Sequence, residues 1–137
     1  KRKGKGKPET FDFLGFTHYC SKSRKGTFRI KRKTSNKKFR QKVKAMKTWI
    51  KENRHLDQET FLKTIRAKLM GHYRYYGVTD NFAGMKSFYV RTIQLIYKWM
   101  NRRSQRRSFT GERFYEVLKE WNIPYPRIYV NIYDKAN

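Results

Sequence analysis

Apolar positions recur at helical spacing along most of this chain. Phe39, Val43, Met46 and Ile50 step by four, three and four, which is one face of a helix. Thr34, Ser35 and Asn36 stand before them as candidate N-caps. Asn53 to Leu56 interrupts the pattern. Asp57 then caps a second expected helix carrying Leu62, Ile65 and Leu69, with Tyr73 and Tyr76 extending the stripe. Gly77 to Asn81 is the next break. A third helix places Met85, Phe88, Tyr89, Ile93, Ile96 and Met100 inward. A short fourth, from about Thr110 to Trp121, buries Phe114, Val117, Leu118 and Trp121 and ends before Pro124 and Pro126.

The first third reads differently. Phe11, Phe13, Phe16 and Tyr19 crowd one short segment, Ser21 to Gly26 is a basic turn, and Thr27-Phe28-Arg29-Ile30-Lys31 alternates. This predicts two strands of a β-hairpin. The expected architecture is mainly α: a basic lead-in over 1–10, a hairpin over 11–33, a bundle of three to four helices over 34–133 and a tail at 134–137. Arg127 to Tyr133 reads as a final extended segment. At 137 residues the chain fits one domain.

Charge narrows the partner class. The chain carries 35 Lys and Arg against 10 Asp and Glu, a net +25. Such a chain repels itself unless a polyanion binds it, and nucleic acid is the polyanion expected. An anionic membrane is the alternative. No apolar run approaches the roughly 20 residues a spanning helix needs, so no membrane partner is expected. The charge is uneven: residues 1–44 hold 17 basic and two acidic residues. The chain begins Lys1-Arg2-Lys3 with no apolar stretch after it, which reads as a solvated tail, an import signal or the trimmed edge of a longer protein. Cys20 is the only cysteine, so an internal disulfide is impossible, and a reducing compartment suits it.

The strongest local signal is a basic stripe. Lys37, Arg40, Lys44, Lys47 and Lys51 step by three, four, three and four with no acid between them on that face. Like charges at this spacing repel. Opposite phosphates they are favourable, and each contact releases counterions. Arg91, Lys98 and Arg102 lie on the outer side of the third helix, and Arg103, Arg106 and Arg107 continue as a basic connector. In His72-Tyr73-Arg74-Tyr75-Tyr76 the helical spacing sends Tyr73 and Tyr76 inward and leaves Arg74 and Tyr75 for a base or phosphate. Gly71, mid-helix, costs about 1 kcal/mol against Ala and suggests close approach by another helix or by a nucleic-acid backbone.

Catalytic chemistry is thinly supplied. The acids are scattered, and no Asp-Asp pair sits in an apolar strand as a two-metal site would require. His18-x-Cys20 is the closest approach to a zinc half-site and has no second pair. Gly4-x-Gly6 has no strand before it and reads as tail, not as a phosphate loop. No catalytic residue, metal or cofactor is expected in this chain.

The order of motifs resembles the C-terminal part of group II intron reverse transcriptase/maturases. Phe11-Asp12-Phe13-Leu14-Gly15-Phe16 resembles the last reverse-transcriptase motif, the primer-grip hairpin, which singles out Phe13, Leu14, Gly15 and Phe16. Leu69 to Gly77 is similar to the glycine- and tyrosine-bearing helix of the maturase-specific thumb, or domain X. Asn101 to Gln105 with Phe109 to Phe114 resembles its later basic motif, and Ile123 to Ile128 its closing segment.

The resemblance spans about residues 11–133. It implies a helical thumb that binds intron RNA and the RNA/DNA template–primer duplex, beside the fingers and palm of the same parent protein. There the Tyr-x-Asp-Asp motif, which this chain lacks, would hold Mg²⁺. It also implies a cytoplasmic, bacterial-type ribonucleoprotein, or an organellar one in a eukaryote. A ribosomal-type structural RNA-binding protein is the rival expectation, since those are also small, basic and aromatic.

Overall fold

The structure, a computed structural model, describes residues 10–22, 26, 28–103 and 110–129. It is mainly helical: a three-stranded antiparallel sheet followed by four helices. The strands are β1 (Thr10–Phe13), β2 (Phe16–Lys22) and β3 (Phe28–Thr34). The helices are α1 (Asn36–Glu52), α2 (Gln58–Tyr76), α3 (Phe82–Arg103) and α4 (Gly111–Glu120).

The expected hairpin is therefore a three-strand meander, and the segment taken as one strand is two. Leu14 and Gly15 make a two-residue turn between Phe13 and Phe16, with φ of 53° and 85°. Positive φ at both positions is the mirror-image turn whose twist matches paired strands. Leucine disfavours that conformation, which is why the residue pattern hides the turn. Tyr19 is thereby carried to the second strand and the opposite face from Phe11, Phe13 and Phe16.

The sheet has two unlike faces, because cross-strand partners share a face. One carries Phe11, Phe13, Cys20, Phe28 and Ile30 together with His18, Lys22 and Arg32, with Phe16 at its helix end. Phe11, Phe13, Phe28 and Ile30 are each more than half exposed. The other carries Asp12, Tyr19, Arg29, Lys31 and Lys33. Phe16 alone among the sheet's aromatics is buried; its ring lies 5.8 Å from that of Tyr75 and 5.1 Å from that of Tyr76.

Each capped helix begins where a short polar side chain can receive a free backbone N–H. Ser35 accepts from Lys38 N at 3.1 Å, Asp57 from Thr60 N at 3.0 Å, and Thr110 from Arg113 N at 3.1 Å. The core is built from the expected stripes: Val43, Met46 and Ile50; Leu62, Ile65, Leu69, Tyr73 and Tyr76; Met85, Phe88, Ile96 and Met100; Phe114, Val117 and Leu118. Phe61 and Trp99 join them, stacked 3.7 Å apart, with Trp49 at 5.6 Å from Phe61. Tyr89, Ile93 and Trp121, expected inward, are only half-buried.

Buried Asn81 fixes how the sheet meets the helices. Its Oδ1 accepts from Thr34 N at 2.8 Å, and its Nδ2 donates to Thr34 Oγ1 at 2.8 Å and to Tyr76 O at 2.9 Å. One side chain thus joins the end of β3, the end of α2 and the start of α3. After α4 the chain returns along α2. Tyr73 donates its hydroxyl proton to Pro124 O at 2.8 Å, and Tyr129 N donates to Gly77 O at 2.8 Å. Residues 123–129 belong to no strand, and 130–133, the rest of the expected extended segment, lie outside the described residues.

Candidate nucleic-acid interface

The α1 stripe forms as its spacing requires. Lys37, Arg40, Lys44, Lys47 and Lys51 are all exposed, and among the described residues none is ion-paired with an acid. On α3, Arg91, Leu95, Lys98 and Arg102 step by four, three and four and share one stripe; the three basic residues are exposed. Helices α1 and α3 run side by side in the same direction. Asn36 and Phe39 lie near Ala83, Gly84 and Ser87 at one end, and Ile50 lies near Leu95 and Trp99 at the other.

That packing brings the two stripes together. A groove of about 420 Å³ is lined by Lys47, Lys51 and Arg54 from the end of α1 and by Lys98 and Arg102 from α3, around Ile50, Leu95 and Trp99. No acid lines it. The apolar floor supports the aliphatic stems of the lysines and arginines while their charged heads reach water. Arg40 and Lys44 continue the α1 stripe towards the sheet, and Arg91 continues that of α3. Arg103 lies within α3, but its side chain is outside the described residues, as are Arg106 and Arg107.

The Phe13-Leu14-Gly15-Phe16 turn is joined to the helical body at three points. Tyr75 donates its hydroxyl proton to Leu14 O at 2.6 Å, Ser35 N donates to Gly15 O at 2.9 Å, and Phe16 packs on Tyr75 and Tyr76. A Cβ at Gly15 would lie 2.7 Å from the Tyr76 hydroxyl, so positive φ and close packing both demand glycine. Lys37 lines a hollow with Asp12, Phe13, Leu14 and Gly15. The sequence-predicted residues therefore gather in two places: Lys37 and Tyr75 at the turn, and Lys47, Lys51, Lys98 and Arg102 in the groove. Arg74 joins neither, because the 100° step of a helix turns it away from Tyr75.

A second cleft, of about 600 Å³, opens on the other flank of α1, against α2. Lys38, Lys42 and Lys68 line it with His72, Gly71 and Tyr75. His72 is buried, its ring stacked 3.9 Å from Phe88 and 4.6 Å from Tyr76, and neither ring nitrogen has a hydrogen-bond partner among the described residues. Burial, with the positive charge of Lys42, brings its pKa down to about 4, so it is neutral at pH 7. Of the two reasons expected for Gly71, close approach by another helix is not met among the described residues: a Cβ there would meet nothing within 4 Å. Approach by a nucleic-acid backbone is the reason that stands open.

Lys38, Lys42, Arg54, Lys68 and His72 escaped the reading of the sequence. A signal existed for two groups. Lys38, Lys42, Ala45 and Trp49 step by four, three and four along the other flank of α1. His72 occupies the core stripe of α2, three after Leu69 and four before Tyr76, where a polar ring calls for explanation.

Among the described residues no group of three or more His, Cys, Asp or Glu side chains could hold a metal ion, and no helix is long and apolar enough to cross a membrane. Compared with known protein families, with curated proteins and with solved structures, the chain matches none.

Proposed function

We propose that this chain is a nucleic-acid-binding module that grips structured RNA and RNA/DNA duplex, as the thumb/maturase domain of a group II intron-type reverse transcriptase would, working beside the fingers and palm of the same parent protein. The observation that carries the binding role is the groove in which two basic stripes from separate helices meet with no acid among its lining residues. Such a concentration of like charge is costly alone and favourable against a phosphate backbone.

Two features support the thumb assignment. Three of the motifs that carry the resemblance touch one another: Tyr75 of the second holds Leu14 of the first, and Tyr73 of the second holds Pro124 of the last. The sheet also leaves Phe11, Phe13 and Phe28 more than half exposed on one face, interleaved with His18, Lys22 and Arg32, and exposed rings of this kind mark a surface for a neighbouring domain or ligand.

The test is a salt titration of the purified chain on a group II intron RNA and on an RNA/DNA duplex. Affinity should fall linearly in log–log form. Changing Lys47, Lys51, Lys98 and Arg102 together to Ala should flatten the slope by about three, at roughly 0.7–0.9 per phosphate released. An unchanged slope would show that the groove is a solvated surface. Tighter binding to ribosomes in high salt than to either probe would favour a ribosomal-type role instead.

A further inference from the structure

The cleft on the α2 side of α1 is built unlike the groove on the other side. Three lysines, Lys38, Lys42 and Lys68, lie around it, and no acid lines it. Its remaining lining includes Met46, Phe88 and Tyr76. The volume, about 600 Å³, is that of a small-molecule site. Tyr75 is 51 % exposed there, its hydroxyl held by Leu14 O.

Two features have no explanation among the described residues. His72 is 7 % exposed with both ring nitrogens unpartnered, and a buried polar group without a partner is costly. Gly71 sits mid-helix, exposed, with open space where a side chain would stand. Packing does not require a glycine there, and its missing side chain leaves the cleft wider than any other residue would.

We propose that this cleft receives one unpaired nucleotide of the bound nucleic acid, with its base lying beside Tyr75 and His72 and its phosphate at Lys38, Lys42 and Lys68. The inference rests on the nucleic-acid reading above and adds a base-sized site to it. A phosphate alone would leave the apolar lining unused and would lose hydration there. An apolar ligand would leave the lysines without a counterion. A neutral imidazole offers one donor and one acceptor, the complement of a base edge. Bases stacked within a duplex cannot enter, whereas an unpaired base can be splayed out onto an aromatic face.

The experiment compares an RNA hairpin bearing one bulged nucleotide with the same hairpin fully paired, by fluorescence anisotropy on the whole chain. The wild type should favour the bulged probe by about tenfold, the effect of one stacked base. Gly71→Leu fills the cleft, and His72→Phe keeps the ring stack while removing the polar edge. Each should abolish the preference and leave the affinity for the paired probe unchanged.

Gly71→Ala should raise the melting temperature yet reduce the preference, a combination that a purely structural glycine would not produce. Equal binding of both probes by the wild type overturns the inference, as does a preference retained in Gly71→Leu and His72→Phe. Saturable micromolar binding of AMP alone would assign the cleft to a free nucleotide and overturn the strand-borne occupant. The groove variant should weaken both probes alike; failure of the wild type to bind either would sink the nucleic-acid reading itself.

Discussion

Helix α1 carries lysines on both flanks, and the two flanks become different surfaces. On the α3 side, Lys47, Lys51, Arg54, Lys98 and Arg102 surround Ile50, Leu95 and Trp99. On the α2 side, Lys38, Lys42 and Lys68 accompany a buried, neutral His72 and a glycine with open space above it. The line Phe39, Val43, Met46 and Ile50 runs between them and faces the core. The neighbouring helix makes the difference. Helix α3 answers α1 with a second row of cations, and the result suits a continuous row of phosphates. Helix α2 answers with rings and one missing side chain, and the result suits something flat with a charged end. Charge alone does not distinguish the flanks; the buried polar group and the missing side chain do.

The largest effect that separates them is a pH effect. His72 has a folded-state pKa of about 4, below the ordinary 6.5, because burial and Lys42 oppose its protonation; Lys38 and Lys68 add positive charge around the same cleft. The unfolded chain takes up a proton on this ring as pH falls below about 6.5, and the folded chain resists until about 4. Stability from this group is therefore complete above pH 6.5 and is lost as pH drops towards 4, by on the order of 3 kcal/mol. Denaturant melts of wild type and His72→Phe across that window should show the wild type losing ground to the variant. Parallel curves would mean that His72 is not held neutral. The groove variant should keep the wild-type pH dependence.

The next effect compares two glycines at the same cleft. Gly15 has φ of 85° and a Tyr76 hydroxyl 2.7 Å from where a Cβ would stand. Gly15→Ala should cost roughly 2 kcal/mol, from the left-handed conformation and the contact together. Gly71 has neither constraint, so the corresponding change there should not destabilise. Equal losses at both positions, measured by thermal melts, would show that the open space beside Gly71 is not present in solution.

The smallest effect concerns the link between the turn and α2. Tyr75→Phe removes the hydrogen bond to Leu14 O and keeps the ring against Phe16. A loss of about 1 kcal/mol is expected for one hydrogen bond, with faster amide exchange across Phe13–Phe16. An unchanged melt and exchange pattern would mean that the turn holds its place through Gly15 and Phe16 alone.

Much of this molecule is legible in one dimension. The α1 basic stripe, the caps at Ser35 and Asp57 and the apolar faces of all four helices need only the 3.6-residue period and local hydrogen bonding. The sheet was read less well. Leu14-Gly15 looks like the middle of a strand because leucine rarely adopts positive φ, so one strand was expected where two exist. The cost of Gly71 in a helix points to close approach by another helix or by a nucleic-acid backbone; the first is absent among the described residues.

What the sequence alone determined is which residues share a face of one element: Lys47 with Lys51, Lys98 with Arg102, Leu69 with His72 and Tyr76. Periodicity within a helix is local, so it needs no knowledge of the fold. Which faces meet was decided only by tertiary structure. The return of α2 lays α1 and α3 side by side in one direction, which joins stripes 40 or more residues apart into one groove and leaves His72 without a hydrogen-bond partner among the described residues at the edge of another cavity. That pairing depends on the Asn81 bonds to Thr34 and Tyr76 and on the aromatic stack of Trp49, Phe61 and Trp99. Apart from the Asn81–Tyr76 bond, these contacts join residues far apart in sequence, and no local periodicity encodes them.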